Sequence, residues 1–146
     1  MNRIKQGDYR FDYQDNPDAK DERVLFDGIN AQAILKKNVE KPIKSFGIFI
    51  KDTSENVLGG VKGATYYGCL YVDMLWLKEE LRHQGFGTRL MEEAERIGRE
   101  HECSFAAVNT MDWEALSFYQ KLGYEIEFVR DGYEKQSKMY LLRKNL

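Results

Sequence analysis

Apolar and polar positions divide the chain into segments of two different periods. The first 23 residues are polar, with a run from Gln14 to Arg23 that carries no pattern; only Tyr9–Tyr13 reads as a short strand. Val24, Leu25 and Phe26 form a brief apolar run ended by Asp27-Gly28, read as a strand and turn. Ile29, Ala33 and Ile34 then recur at helical spacing and predict a helix reaching Asn38. From Ser45 the period becomes two. Phe46, Ile48 and Ile50 alternate with Gly47, Phe49 and Lys51, a polar turn spans Asp52 to Asn56, and Val57 to Thr65 returns antiparallel, which makes a hairpin. Cys69 to Leu77 is a nearly continuous apolar run broken only by Asp73, the pattern of a central strand covered on both faces.

The period then switches to helical. Leu90, Met91, Ala94 and Ile97 make one stripe, with Glu92, Glu93, Glu95 and Arg96 assigned to water. Phe105–Val108 reads as a fifth strand. Trp113–Leu122 reads as a second amphipathic helix, with Leu116, Tyr119 and Leu122 on one side and Gly123 as its stop. Tyr124–Val129 and Lys138–Leu142 alternate again and close the sheet. No internal repeat or low-complexity segment interrupts this order.

Length and composition narrow the picture. A chain of 146 residues fits one domain over 1–146, and at this size about two thirds of the unfolded surface is buried on folding, so neither disulfides nor a structural metal is needed. Two tryptophans, nine tyrosines and eight phenylalanines against two prolines suit a sheet-rich domain. Lys and Arg number 22 and Asp and Glu 24, dispersed along the chain, for a net charge of −2. That balance offers nucleic acid no basic face. Cys69 and Cys103 both lie in apolar surroundings and read as buried thiols in a reducing compartment. No window approaches the ~18 apolar residues of a membrane span, and a soluble, cytoplasmic protein is the expectation.

The segment from Trp76 through Arg82, His83, Gln84, Gly85, Phe86, Gly87 and Thr88 runs from a buried strand through a polar loop into a helix. Its R-x-x-G-x-G brings backbone close to a ligand, and the unpaired N–H groups of a helix's first turn, with the positive end of its dipole, suit a pyrophosphate. A glycine-eased turn without a ligand has the same pattern. The G-x-G-x-x-G and Walker A spacings are absent, which disfavours nucleotide binding of those kinds. One strand and one helix downstream lies Asp112-Trp113-Glu114-Ala115-Leu116-Ser117-Phe118-Tyr119-Gln120-Lys121-Leu122-Gly123-Tyr124.

Together these two segments resemble the GNAT superfamily of acyl-CoA-dependent N-acetyltransferases, over Leu58 to about Leu142. The resemblance implies an α/β (α+β) fold with a mixed, mostly antiparallel, splayed sheet and helices on both faces. It also implies that the N–H groups of His83 to Thr88, with the Arg82 side chain, hold the coenzyme A pyrophosphate. The backbone of Leu75, Trp76 and Leu77, splayed from Phe105–Val108, would take the pantetheine arm as an added strand. Tyr119 would donate a proton toward the thioester sulfur. The family often has Asn where this chain has Asp112, so Asp112 either contacts coenzyme A or caps the helix starting at Trp113.

Acetyl-CoA is then the expected cosubstrate, without a metal. His83 and His101 have no companions at ligand spacing. The expected acceptor is a primary amine on a small molecule or a peptide, attacking directly. Asp73 is the candidate base or amine anchor, because a carboxylate in an apolar strand needs a partner or a task; a structural hydrogen bond is the alternative. Glu79 and Glu80 are weaker candidates. Trp76 and Trp113 either wall an acceptor cleft or pack in the core. A non-catalytic acyl-CoA-binding module is the rival reading, and the oligomeric state, a homodimer included, stays open.

Overall fold

A computed structural model describes residues 6–146. The chain divides into two compact units, Met1–Glu40 and Lys41–Leu146.

Among the described residues the first unit holds one α-helix, α1 (Ala19–Lys37). Asp18 caps it, its carboxylate accepting from the Lys20 N–H at 2.7 Å. Asp21 and Glu22 lie in the first turn, and Lys36 and Lys37 in the last, so both ends complement the helix dipole. Asn38 ends it in the left-handed conformation. The strand expected at Val24–Phe26 is therefore helical, and the helix starts ten residues earlier than the apolar spacing indicates. Asp27 does not turn the chain; it pairs with Arg23 one turn back, at 3.0 Å. No strand forms at Tyr9–Tyr13.

The second unit is a six-stranded sheet in the order β1-β2-β3-β4-β6-β5. The strands are β1 (Lys44–Lys51), β2 (Val57–Tyr66), β3 (Cys69–Leu77), β4 (Phe105–Met111), β5 (Glu125–Tyr133) and β6 (Ser137–Asn145). Every pairing is antiparallel except β3 with β4. The β2–β3 connection is the two-residue turn Tyr67-Gly68, both with positive φ, which matches the right-handed strand twist. Helix α2 (Phe86–Glu100) crosses from β3 to β4, and α3 (Leu116–Lys121) follows β4. Val61, Leu70, Val72, Leu90, Met91, Ala94, Ala106, Val108, Tyr119, Tyr124 and Leu142 form one core.

The parallel pairing of β3 with β4 ends early. It runs from Cys69 opposite Phe105 to Val72 opposite Val108 and stops there. Beyond that point Met74 to Leu77 continue along β2, while Asn109 to Met111 continue along β6. The two central strands thus part into a wedge, and the strand facing Leu75–Leu77 across it is Asn109–Met111 rather than Phe105–Val108. The break coincides with a bulge. Lys62 opposes Met74 and Gly63 opposes Val72, so Asp73 is an extra residue on β3. The extra residue shifts the strand's phase. Leu70 and Val72 face the core before it, and Leu75 and Leu77 face it after, leaving Met74 and Trp76 exposed at 57% and 58%. This corrects the reading of β3 as covered on both faces.

Two helical expectations also change. Glu95, assigned to water, is buried on α2, where the Lys144 ammonium of β6 meets its carboxylate at 2.5 Å. Helix α3 starts at Leu116, not Trp113. The residues before it form a loop pinned by side chains, Glu114 accepting from the Met111 N–H at 3.1 Å and Thr110 from the Ala115 N–H at 3.2 Å.

Candidate active site

The loop joining β3 to α2 is shaped by left-handed residues. His83 has φ of 61° and Gly85 of 84°, and a non-glycine residue with φ near 84° is strained. A methyl group on Gly85 would meet nothing within 4 Å, so conformation rather than space requires glycine there. Gly85 is the N-cap of α2 and offers no capping side chain, and the first turn has no acid. The first backbone bond at this end is Arg89 N–H to Gly85 C=O at 3.1 Å, leaving the N–H groups of Phe86, Gly87 and Thr88 without helical partners. A left-handed residue followed by helical ones points successive N–H groups to one side. An uncapped, acid-free helix start of this kind fits a phosphate group.

Arg82 and Gln84 brace this loop. The Arg82 Nε donates to the Leu77 carbonyl at 3.0 Å, and the Gln84 amide to the Glu80 carbonyl at 2.7 Å. The Arg82 side chain thus ties the loop to the end of β3. Gly87 closes the arrangement. A Cβ there would lie 3.3 Å from the Phe118 ring and 3.7 Å from Leu77, so the first turn of α2, the end of β3 and helix α3 meet at one point.

Tyr119, next to Phe118 on α3, is 5% exposed. Its ring packs edge-on against Phe118, with centroids 5.2 Å apart. Burial, aided by the nearby Glu114 charge, pushes its phenol up to about 12. The hydroxyl therefore stays protonated at neutral pH and is available only as a neutral donor.

Asp73 sits at the apex of the wedge but is not buried. Its Oδ2 lies 3.4 Å from the Lys62 ammonium, and both side chains are about half exposed. The premise of a costly buried carboxylate does not hold, because the bulge turns Asp73 out of the apolar run. Burial, with the Asp73 charge adding to it, raises the Tyr71 phenol, and that hydroxyl accepts from Asn109 Nδ2 at 3.3 Å. Tyr71 and Asn109 thereby reach between β3 and β4 beside the wedge. Glu79 and Glu80 are exposed in a short 3-10 turn. Hydrogen bonds, including one from Lys78, hold the Glu80 carboxyl below its usual range, which makes it a poorer base.

Asp112 caps no helix. Its carboxylate accepts from the Lys138 N–H at 3.2 Å, and its own N–H donates to the Lys138 carbonyl at 3.0 Å, so it extends the β4–β6 ladder by one residue. Trp76 and Trp113 are both exposed, against the core-packing alternative. Thr110 and Glu114 fix the loop before α3, and Glu95 pairs with Lys144 between α2 and β6; none of these contacts leaves a signal in the hydrophobic pattern. Cys69 and Cys103 are free and buried, and burial pushes the Cys69 thiol up to about 11. Among the described residues no group of three or more His, Cys, Asp or Glu could hold a metal ion, and no helix is long and apolar enough to cross a membrane.

Residues 6–124 match the model of the acetyltransferase (GNAT) family. An acetyltransferase of Agrobacterium fabrum is 32% identical over 114 residues, covering 78% of this chain and 82% of that protein. The blasticidin-S acetyltransferase of Streptomyces morookaense is 31% identical over 107 residues, 73% of this chain and 79% of that one. Among solved structures, an acetyltransferase from Agrobacterium tumefaciens superposes with a TM-score of 0.81 at 27% identity, over 94% of this chain and 100% of that one. With an uncapped helix start and a wedge between β3 and β4, the chain belongs to the GNAT family of acetyltransferases.

Proposed function

We propose that the protein transfers the acetyl group of acetyl-CoA to the primary amine of a small molecule by direct attack. The observation that carries this reading is the meeting at Gly87 of the α2 start, the Leu75–Leu77 edge of the wedge and the helix that bears Tyr119. The N–H groups of Gly85 to Thr88 would hold the pyrophosphate, and the edge from Leu75 to Leu77 would hold the amide groups of the pantetheine arm. Acetyl-CoA supplies an activated acetyl thioester, whose C–S bond breaks as the N–C bond forms.

The chain's own groups manage the protons. A primary ammonium must lose one before its nitrogen can attack. Asp73, exposed at the wedge apex, takes it directly or through water. Tyr119, neutral at working pH, donates its phenolic proton to the departing sulfur, where charge would otherwise build on the thiolate. Both groups recover through solvent between turnovers. That a relative is a blasticidin-S acetyltransferase supports a small-molecule acceptor.

The test is calorimetry with coenzyme A, followed by a thiol-release screen over polyamines, amino acids, aminoglycosides and peptides. Coenzyme A binding with turnover of at least one small amine is the expected result. Absence of coenzyme A binding overturns the reading, and turnover of peptides alone replaces its acceptor.

A further inference from the structure

Hydrogen-bond direction identifies the backbone groups that face the wedge. Asp112 and Lys138 are bonded to each other across β4 and β6. Along a strand successive residues direct their N–H and C=O to alternate sides, so those of Met111 point away from β6 and into the opening. On the opposite edge the Lys78 N–H donates to the Leu58 carbonyl of β2 at 2.8 Å. The groups of Leu75 and Leu77 therefore point away from β2, into the same opening.

The two edges are not equally free. On β4, the Met111 N–H donates to Glu114 Oε1 at 3.1 Å, and the Met111 carbonyl accepts from the Glu114 N–H at 3.0 Å. Glu114 thus engages both backbone groups that Met111 turns to the wedge. Its Oε1 takes the place a β3 carbonyl would hold had the parallel pairing continued past Val72. Its Oε2 has no partner among the described residues. Across the opening the Leu77 carbonyl already accepts from Arg82 Nε at 3.0 Å, which leaves the Leu77 N–H as the group that residue offers.

This distribution orients any amide lying in the wedge. The N–H and C=O of a trans amide point in opposite directions. An amide beside Leu77 is best placed with its C=O on the Leu77 N–H, and its own N–H then turns toward β4. The acceptor left at that end of β4 is Glu114 Oε2. A carboxylate there suits a neutral amide chain and repels phosphates, so it also selects which part of a long anionic cofactor lies between the strands.

We propose that Glu114 is a second clamp on the cofactor, its Oε2 accepting a hydrogen bond from an amide N–H of the pantetheine arm whose C=O is held by Leu77. The assignment rests on the reading of the Leu75–Leu77 edge as the seat of that arm. Capping the β4 edge needs only one oxygen; the clamp uses the other.

Glu114→Gln separates the two roles. Its amide oxygen keeps the Met111 bond, and its NH2 then stands where Oε2 stood, a donor facing a donor. Coenzyme A is titrated calorimetrically into the full chain, and adenosine 3′-phosphate 5′-diphosphate, which is coenzyme A without its arm, is measured by displacement of coenzyme A. Glu114→Gln should weaken coenzyme A about tenfold, the scale of one hydrogen bond to a charged acceptor, and leave the armless nucleotide within about twofold. Parent and variant should melt at the same temperature. Equal coenzyme A affinity in the two proteins, or equal weakening of both compounds, overturns the clamp and leaves the acetyl-CoA reading standing. Absence of coenzyme A binding by the parent chain overturns both.

Discussion

The rings of Tyr119 and Tyr124 meet edge to face, with centroids 5.9 Å apart at an interplanar angle of 70°. One belongs to α3 and the other to the turn that follows it, and the Tyr119 carbonyl accepts from the Tyr124 N–H at 3.1 Å. The pair differs in its hydroxyls, since that of Tyr124 is buried without a partner. Tyr119→Phe should lower turnover ~100-fold or more, in the range of a lost general acid, while coenzyme A affinity measured by calorimetry changes less than threefold. Tyr124→Phe removes an unsatisfied group whose burial costs ~1–3 kcal/mol, so its melting temperature should hold or rise.

Burial raises the Tyr119 phenol from 10.0 to about 12. The unfolded chain therefore releases this proton at a lower pH than the folded one. The contribution is complete below pH 10 and is lost as pH rises through about 12. Urea melts between pH 9 and 12 should show stability falling with pH, and Tyr119→Phe should make the fall shallower. Parallel slopes for the two proteins would remove the assignment.

Gly85 carries a positive φ that a branched side chain cannot adopt without strain. Gly85→Val should weaken coenzyme A binding at least tenfold by displacing the N–H groups of the first turn of α2. Gly87→Ala acts differently, because its methyl would press on Phe118 at 3.3 Å. It should alter turnover through the neighbouring Tyr119 more than it alters coenzyme A affinity. Calorimetry and thiol-release kinetics on both variants read the difference.

The Glu95 carboxylate is 4% exposed and the Lys144 side chain 25%. Removing Lys144 leaves the buried Glu95 carboxylate with only the more distant Arg99 guanidinium at 3.8 Å, and removing Glu95 leaves a partly buried ammonium unpaired; the loss of one partner of a buried pair costs up to about 3–5 kcal/mol. Glu95→Leu or Lys144→Met alone should lower the denaturation midpoint sharply, and the double variant should recover most of the loss. A double variant no better than the singles would show that the pair contributes more than mutual compensation.

Asp73→Asn tests the base. If Asp73 takes the proton, the acidic limb of the pH–rate profile should move toward higher pH in the variant, where only the acceptor's own ionisation supplies free amine. A profile of unchanged shape assigns the proton to water.

Much of this architecture was legible in the chain because burial follows period. The hairpin, β3, α2 and β4 all stand where alternation or helical spacing put them, and the Gly85 loop stands where R-x-x-G-x-G put it. The failures have specific causes. Asp27-Gly28 carries a turn signal, yet caps at Asp18 and Asn38 make one helix across it. Glu95 looked solvated because sequence cannot see Lys144 arriving from β6. Asp112 looked like a cap because its true partner, the Lys138 backbone, lies 26 residues away. The bulge left a trace that strict alternation hides, in that Leu70 and Val72 are out of phase with Leu75 and Leu77.

That single surplus residue at position 73 works as a frame shift in the strand. Deleting it would leave the pairing on either side intact, with Met74 and Trp76 still outward opposite Lys62 and Gly60 and Leu75 and Leu77 still on the core, but would remove the bend that an unpaired residue puts into the strand. That bend stands at the point where the pairing of β3 with β4 stops, after Val72 and Val108. The opening between the two central strands thus coincides with one unpaired backbone residue, and its shape is a property of the strand rather than of the side chains that line it.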